Sequence, residues 1–239
     1  MSLYYDFHIH SALSPCGDNE MTPNNIINMS LIKGLDAIAV TDHNSALNVR
    51  ACFECGKKAG IIVLPGMEIE TCEEVHIVAL FDNPDSCEEL GSFVESNMPV
   101  IKNRVDIFGN QYVLSKDDEI VFEVENLLST ASSLDVESAV NKIRDLGGVA
   151  IPAHVDKSSY SIISNLGFIP SELEFSTIEI KFPERAEELI NKQNLHQYKL
   201  VHNSDAHFLW DIHEKEYFLD INVNSATESI NYLKQKKQD

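Results

Sequence analysis

The sequence predicts an α/β fold of the β/α-barrel kind. A unit recurs along its 239 residues in which an amphipathic helix stops at a glycine and a short apolar strand follows almost at once. The strands are nearly continuous apolar runs, the pattern of a parallel sheet covered on its outer face. Their count favours a closed barrel over an open doubly wound sheet.

The elements follow in order. A first strand is expected over residues 4–10. Thr22-Pro23 caps and starts a helix that runs to Gly34, before the strand 36–41. Ser45 opens a second helix that stops at Gly60, before the strand 61–65. A strand over 75–81 comes next. Residues 132–135 resemble a capping box for a helix ending at Gly147-Gly148, before Val149-Ala-Ile-Pro152. Further strands are expected at 177–180, 199–202 and 217–221. Residues 83–133 break the rhythm: a helix follows Pro84, and two short runs flank Lys116-Asp-Asp-Glu119, which predicts a hairpin insertion in an otherwise single domain, 1–239. The insertion reads equally as a cover over a site or as surface decoration.

Hydrophobic residues at 44% and charged residues at 23% fit a globular chain, and no apolar run reaches the roughly 18 residues of a spanning helix. The start of the chain lacks the basic and apolar stretches of a signal peptide, which predicts a cytoplasmic protein with no membrane partner. Its five cysteines, clustered in the first half, do not resemble a disulfide framework. A net charge of −20, without any basic stripe, argues against long nucleic acid as a partner. Oligomeric state is not legible.

Chemistry is concentrated at strand ends. In Asp6-Phe-His8-Ile-His10 the two histidines are two apart on an extended chain and share a face, making a two-toothed clamp. Asp42-His43, Glu68, His154 and Asp205-Ala-His207 each lie just beyond a predicted strand, where β/α barrels assemble active sites. His76 sits within an apolar strand, where an unpaired imidazole is costly and a metal would satisfy it. Each residue alone has a structural explanation; their joint placement predicts a metal site. Imidazole with carboxylate suits Zn, Mn or Fe, and the ligands exceed one ion's needs, so two or three divalent ions are expected, with Glu68 as the bridge. Such a site activates water and stabilises a leaving alkoxide, which points to phosphate ester hydrolysis. Asp42 would orient the His43 ring, and Asp205 would serve as ligand and proton acceptor, so Asp205, Glu68, His207 and Asp42 are the catalytic candidates.

At these residues the chain resembles the polymerase and histidinol phosphatase (PHP) family, with Asp-x-His-x-His, Thr-Asp-His, Gly-x-Glu, a strand His, Ala-His and Ser-Asp-Ala-His in order from Asp6 to His207. The resemblance implies a distorted seven-stranded β/α barrel and a two- or three-metal phosphoesterase site. It puts His8, His10, Glu68 and Asp205 on one metal, Glu68, His76 and His154 on a second, and His43 and His207 on a third. One more ligand of the third would come from the loop Ser11-Ala-Leu-Ser-Pro-Cys16-Gly-Asp18, where this chain departs from better-known members. Asp18 is the preferred ligand there and Cys16 the alternative.

Lys157, Ser158 and Arg104 are the candidate phosphate contacts. Cys52-x-x-Cys55 falls inside a helix without a second pair and reads as structural; Asp211-Ile-His213 reads as surface, and His196 and His202 as structural. The expected function is hydrolysis of a small phosphorylated metabolite or nucleotide by metal-activated hydroxide. An oligonucleotide phosphodiesterase or exonuclease, a metal-dependent amidohydrolase and a non-catalytic metal-binding regulatory module are the alternatives.

Overall fold

A computed structural model describes residues 2–237. Strand β1 (Ser2–Ile9) leads through helix α1 (Pro23–Ile32) to β2 (Ala37–Val40), and α2 (Val49–Ala59) leads to β3 (Ile62–Glu70). Antiparallel to β3 runs β4 (His76–Leu80). Helices α3 (Pro84–Glu95) and α4 (Val105–Phe108) and the hairpin β5 (Tyr112–Leu114) and β6 (Ile120–Glu123) fill the insertion. Then come α5 (Val136–Asp145), β7 (Val149–Pro152), α6 (Ile162–Leu166), β8 (Thr177–Ile180), α7 (Pro183–Gln193), β9 (Lys199–His202), β10 (Phe218–Asp220) and α8 (Ala226–Lys234).

The main sheet is a curled half-barrel of six strands in the order β10-β1-β2-β3-β4-β7, and β8 pairs with β9 separately. The expected ring of seven is therefore not one continuous ladder. The β8–β9 pair is tied to the sheet at its two ends. His10 N donates to Ala206 O and Ala206 N to His8 O on one side, and Val155 N donates to Glu179 O on the other. Nor is the sheet wholly parallel: β1, β2 and β3 are parallel, but β4 is antiparallel to both neighbours. Glu70 pairs with His76, and the chain between them turns through Glu74 at φ 57. A connection this short holds no crossover helix, so the strand has to return antiparallel.

Leu3, Tyr5 and Phe7 of β1 pack with Ala39, Leu64, Val78, Ile151 and Val201 on the concave side, which Ile230 and Leu233 of α8 close. On the convex side, α1 and α2 cover Ile38, Val40 and Val63, while the outer faces of β4, β7 and β8 pack against α3 and α5. Tyr4 and Ile9 both face the α1–α2 layer, although strict alternation would put them on opposite faces. The register between β1 and β2 shifts between Asp6 and Ile9, and this bulge turns His8 and His10 to the concave side.

Two helix starts differ from expectation. Helix α2 begins at Val49 rather than at Ser45, because Asn48 is committed elsewhere: its Nδ2 donates to Ser11 Oγ and Tyr112 O, and its Oδ1 accepts from Leu114 N. Helix α5 is capped by Asp135, whose Oδ1 accepts from Ser138 N at 2.7 Å. Ser132 instead donates to Glu70 O. Among the described residues no helix is long and apolar enough to cross a membrane.

Candidate metal centre

At one rim of the sheet, five imidazoles from four segments converge on one carboxylate. Glu68 is wholly buried near the end of β3. Its Oε1 lies 2.8 Å from His76 Nδ1, 3.2 Å from His154 Nε2 and 3.3 Å from His8 Nε2. Its Oε2 lies 3.0 Å from His43 Nδ1 and 3.4 Å from His10 Nε2. Asp205 Oδ1 completes the group, 3.3 Å from His10 Nε2 and 3.5 Å from His8 Nε2. His154 and Asp205 both hold left-handed backbone, at φ 29 and φ 49, the kind of strain that clusters at functional sites.

The surrounding hydrogen bonds fix which ring nitrogens carry lone pairs. Ser14 Oγ gives its single proton to Asp42 Oδ1, so it accepts from His43 N and from His10 Nδ1–H. His10 Nε2 is then an acceptor. His8 Nδ1 donates to Glu179, 3.0 Å from each carboxylate oxygen, which in the neutral ring leaves His8 Nε2 an acceptor too. These two nitrogens face each other at 3.2 Å. Two lone pairs so placed repel unless a cation stands between them. Donor atoms around a tetrahedral ion with bonds of about 2.0–2.1 Å stand roughly 3.3 Å apart, which is the spacing of the His8 and His10 nitrogens from each other and from the nearest oxygens of Glu68 and of Asp205. His43 Nδ1 and Glu68 Oε2 are buried and make no hydrogen bond among the described residues, though close together, which is what two ligands of a common ion would do. The residues present thus fit a metal centre.

Electrostatics favour the ligand forms of Glu68, Asp205 and His10, and raise His8, His43, His76 and His207 towards the charged form whose proton a bound cation would displace. Burial pushes the Glu68 carboxyl up, but His76, His8 and His43 outweigh it and hold it well below the usual carboxylate range. Asp205 is likewise held down, against burial, by His8 and His10. For His10, burial and the neighbouring His207 and His43 push the imidazole well below its ordinary value, towards the neutral form that binds metal. For His8, burial is outweighed by Glu179, Glu68 and Asp205, which raise it.

Some predicted residues take other places. Three groups have ligand atoms within 4.8 Å of one another: His8, His10 and Glu68; His43, Glu68 and His76; and His10, Cys16, His43 and His207. Asp18 belongs to none of these, because its Oδ1 caps the turn by accepting from Glu20 N at 2.8 Å. Asp42 makes its hydrogen bonds with Ser11 and Ser14, so it reaches the site through the His10 ring and the His43 backbone, not the His43 ring. Lys157 Nζ stands 3.1 Å from Asp205 Oδ2, at the site. Ser158 is exposed, and Arg104 is exposed and paired with Asp106. Cys52 and Cys55 are buried free thiols in α2, His196 is exposed, and His202 packs on Tyr217. Asp211 is exposed as expected, but His213 is half-buried and its N–H donates to Asp6 Oδ2.

Four supporting residues had no role assigned from the sequence, Asp6 being quoted there only as the opening of the Asp-x-His-x-His motif. Glu179, besides holding His8, accepts from His154 N and Asn203 Nδ2. Asn203 Oδ1 in turn accepts from Phe7 N. Buried Asp6 accepts from Ser204 N and His213 N, fastening the Asp205 loop to β1. Ser14 is the fourth. A carboxylate inside the apolar run Thr-Ile-Glu179-Ile was the available signal, since a buried acid requires partners; Asn203 and Ser14 carry none. The insertion meets this region from behind, with Tyr112 N donating to Ala12 O. A cavity of about 580 Å³ between α3 and the hairpin is lined by Asn44, Glu88, Phe122 and Leu128 and by none of the predicted ligands.

Known proteins share stretches of this sequence and its fold. The 5'-3' exoribonuclease of Haemophilus influenzae is 30% identical over 83 residues, 34% of this chain and 29% of that protein. The phosphoribosyl 1,2-cyclic phosphate 1,2-diphosphodiesterase of Eggerthella lenta is 29% identical over 80 residues, 31% of this chain and 29% of that one. The chain spans about half or less of the length of the curated relatives it matches. The crystal structure of the lesion-specific endonuclease PfuEndoQ from Pyrococcus furiosus has a TM-score of 0.67 at 17% identity, covering 98% of this chain and 56% of that one, a likeness of fold. The PHP domain model matches residues 6–220, from the first aspartate of the histidine clamp to the end of β10, and the chain therefore belongs to the PHP domain family.

Proposed function

We propose that this chain is a metal-dependent phosphoesterase that hydrolyses a small phosphorylated metabolite or nucleotide. The observation that carries the reading is the meeting of His8 Nε2 and His10 Nε2 at 3.2 Å, both as acceptors, beside Glu68 and Asp205. His8, His10, Glu68 and Asp205 would hold one divalent ion, with His43, His76, His154 and His207 available to a second and a third; Zn, Mn or Fe suit these donors. Ions bound there supply a Lewis acid for a phosphoryl oxygen and lower the pKa of a coordinated water.

The chain's own groups do the rest. Glu179 and the Ser14–Asp42 pair keep the lone pairs of His8 and His10 aimed inward. Asp205, beside His8, His10 and Lys157, is the proton acceptor by its position. Lys157, raised above its ordinary value because Asp205 outweighs its burial, is the cation available to a phosphate. Tyr160 is half-exposed and stacks on the His76 ring at 4.9 Å, offering a lip against which a substrate can rest.

A second reading, a phosphodiesterase acting on oligonucleotides, is supported by the likeness to the exoribonuclease and to the endonuclease fold, and by exposed Phe208 and Trp210 just beyond His207. The charge of −20 weighs towards the small substrate. The test is phosphate or nucleotide release from a panel of histidinol phosphate, nucleotide bisphosphates and short single-stranded DNA, with wild type and Asp205→Asn compared. Turnover of the small esters, lost in the variant, supports the first reading; preferential turnover of DNA supports the second. Equal rates in wild type and variant overturn the catalytic assignment, and turnover of an amide without any phosphoester would favour an amidohydrolase.

A further inference from the structure

The turn after β1 is pinned from three sides. Ser14 N donates to Ser11 O and Gly17 N to Ser14 O, which closes the turn on itself. Asp18 N donates to His207 O at 2.9 Å, which fastens it to the Asp205-Ala-His207 segment. Gly109 of the insertion, at φ 98, lies against Pro15 O so closely that a Cβ there would collide with it. These constraints deliver the Cys16 side chain to His10, His43 and His207, all four ligand atoms lying within 4.8 Å of one another. His207 Nδ1 donates to Asp205 O at 2.9 Å, which leaves its Nε2 lone pair for an ion. Cys16 is solvent-exposed whereas His10 and His43 are buried, so this group stands at the outer edge of the centre.

We propose that the Cys16 sulfur, as thiolate, ligates an outer metal ion together with His43 and His207, and that this sulfur makes the outer site select zinc over manganese or magnesium. The inference rests on the metal-dependent reading above and concerns only its outermost ion. Thiolate is a soft donor that suits zinc, whereas manganese and magnesium favour oxygen. Asp18 is not part of this group, its Oδ1 accepting from Glu20 N instead. The inner groups, built from imidazole and Glu68, lack sulfur and would keep the broader preference.

The experiment uses the full chain stripped with a chelator and reloaded with cobalt(II) alone, read by its near-ultraviolet thiolate-to-cobalt charge-transfer absorption and by elemental analysis after zinc or manganese loading. Exposed Cys72 is the control thiol. Wild type and Cys72→Ser should show the band. Cys16→Ala and Cys16→Asp should lose it while still holding the inner ions, which also shows that they are folded. Cys16→Ala should bind roughly one zinc fewer per chain, and Cys16→Asp should accept manganese at the outer site where wild type does not. A band that persists in Cys16→Ala, or equal zinc content in wild type and Cys16→Ala, overturns the assignment and leaves the inner centre standing. A wild-type chain that binds no metal overturns the proposal together with the reading beneath it.

Discussion

His8 Nδ1 stands 3.0 Å from both oxygens of Glu179, both residues being wholly buried, so a carboxylate on β8 sets the tautomer of a ring on β1. Supporting partners of this kind tune ligand basicity, and their loss typically costs about 10–100-fold in metal affinity or activity. Glu179→Gln should lower metal affinity by that order, measured by competition with a chelator. Unchanged affinity would show that His8 needs no such partner.

Ser14 forwards the influence of Asp42, because its proton is spent on Asp42 Oδ1 and its lone pairs receive His10 Nδ1–H and His43 N–H. Ser14→Ala leaves buried donors unpaired, at about 1–3 kcal/mol each. Urea denaturation should show that loss, and chelator competition should show weaker metal binding. A variant as stable and as metal-avid as wild type would refute the relay.

Gly148 lets α5 close on β7, since a Cβ there would stand 2.5 Å from Phe81 Cε1 and 2.9 Å from Ile143 Cγ2. Gly148→Ala should destabilise the chain by about 1–3 kcal/mol through overpacking. Activity per folded molecule should hold, because the strain falls in the outer layer. Neutral stability would mean that this joint is looser than its contacts indicate.

Hydrogen bonds from Ser138 hold the Asp135 carboxyl below its ordinary value. A carboxyl depressed in the folded state stabilises above its unfolded pKa, about 3.9, and that contribution is lost as pH falls through the folded value. Asp135→Ala should therefore cost about 1 kcal/mol at neutral pH. The gap to wild type should narrow on acidification below about pH 4. Paired denaturation curves at the two pH values check this, and a gap that does not change with pH would contradict it.

Much of this architecture was legible because apolar runs and glycine stops are local signals; β2, β7, β8 and β9 lie where those runs lie. The direction of β4 was not, since it depends on a connection too short for a helix, and the β1 bulge that turns His8 inward leaves no mark on the sequence. The site follows the same division. His8, His10, Glu68, His154 and Asp205 announce themselves at strand ends. Glu179 and Asp6 are acids within strands whose partners are distant in sequence, and the placing of Cys16 rather than Asp18 beside His43 and His207 depends on the folding of a turn that Asp18 itself caps.

Distant imidazoles and acids that share ions through Glu68 should lose them together when Glu68 is neutralised, which elemental analysis of wild type beside Glu68→Gln measures. Wild type should carry at least two divalent ions per chain and the variant should lose most of them, with phosphoester turnover falling in step. Equal metal content in the two proteins, or a wild-type chain that turns over its ester fully without metal, would contradict this sharing.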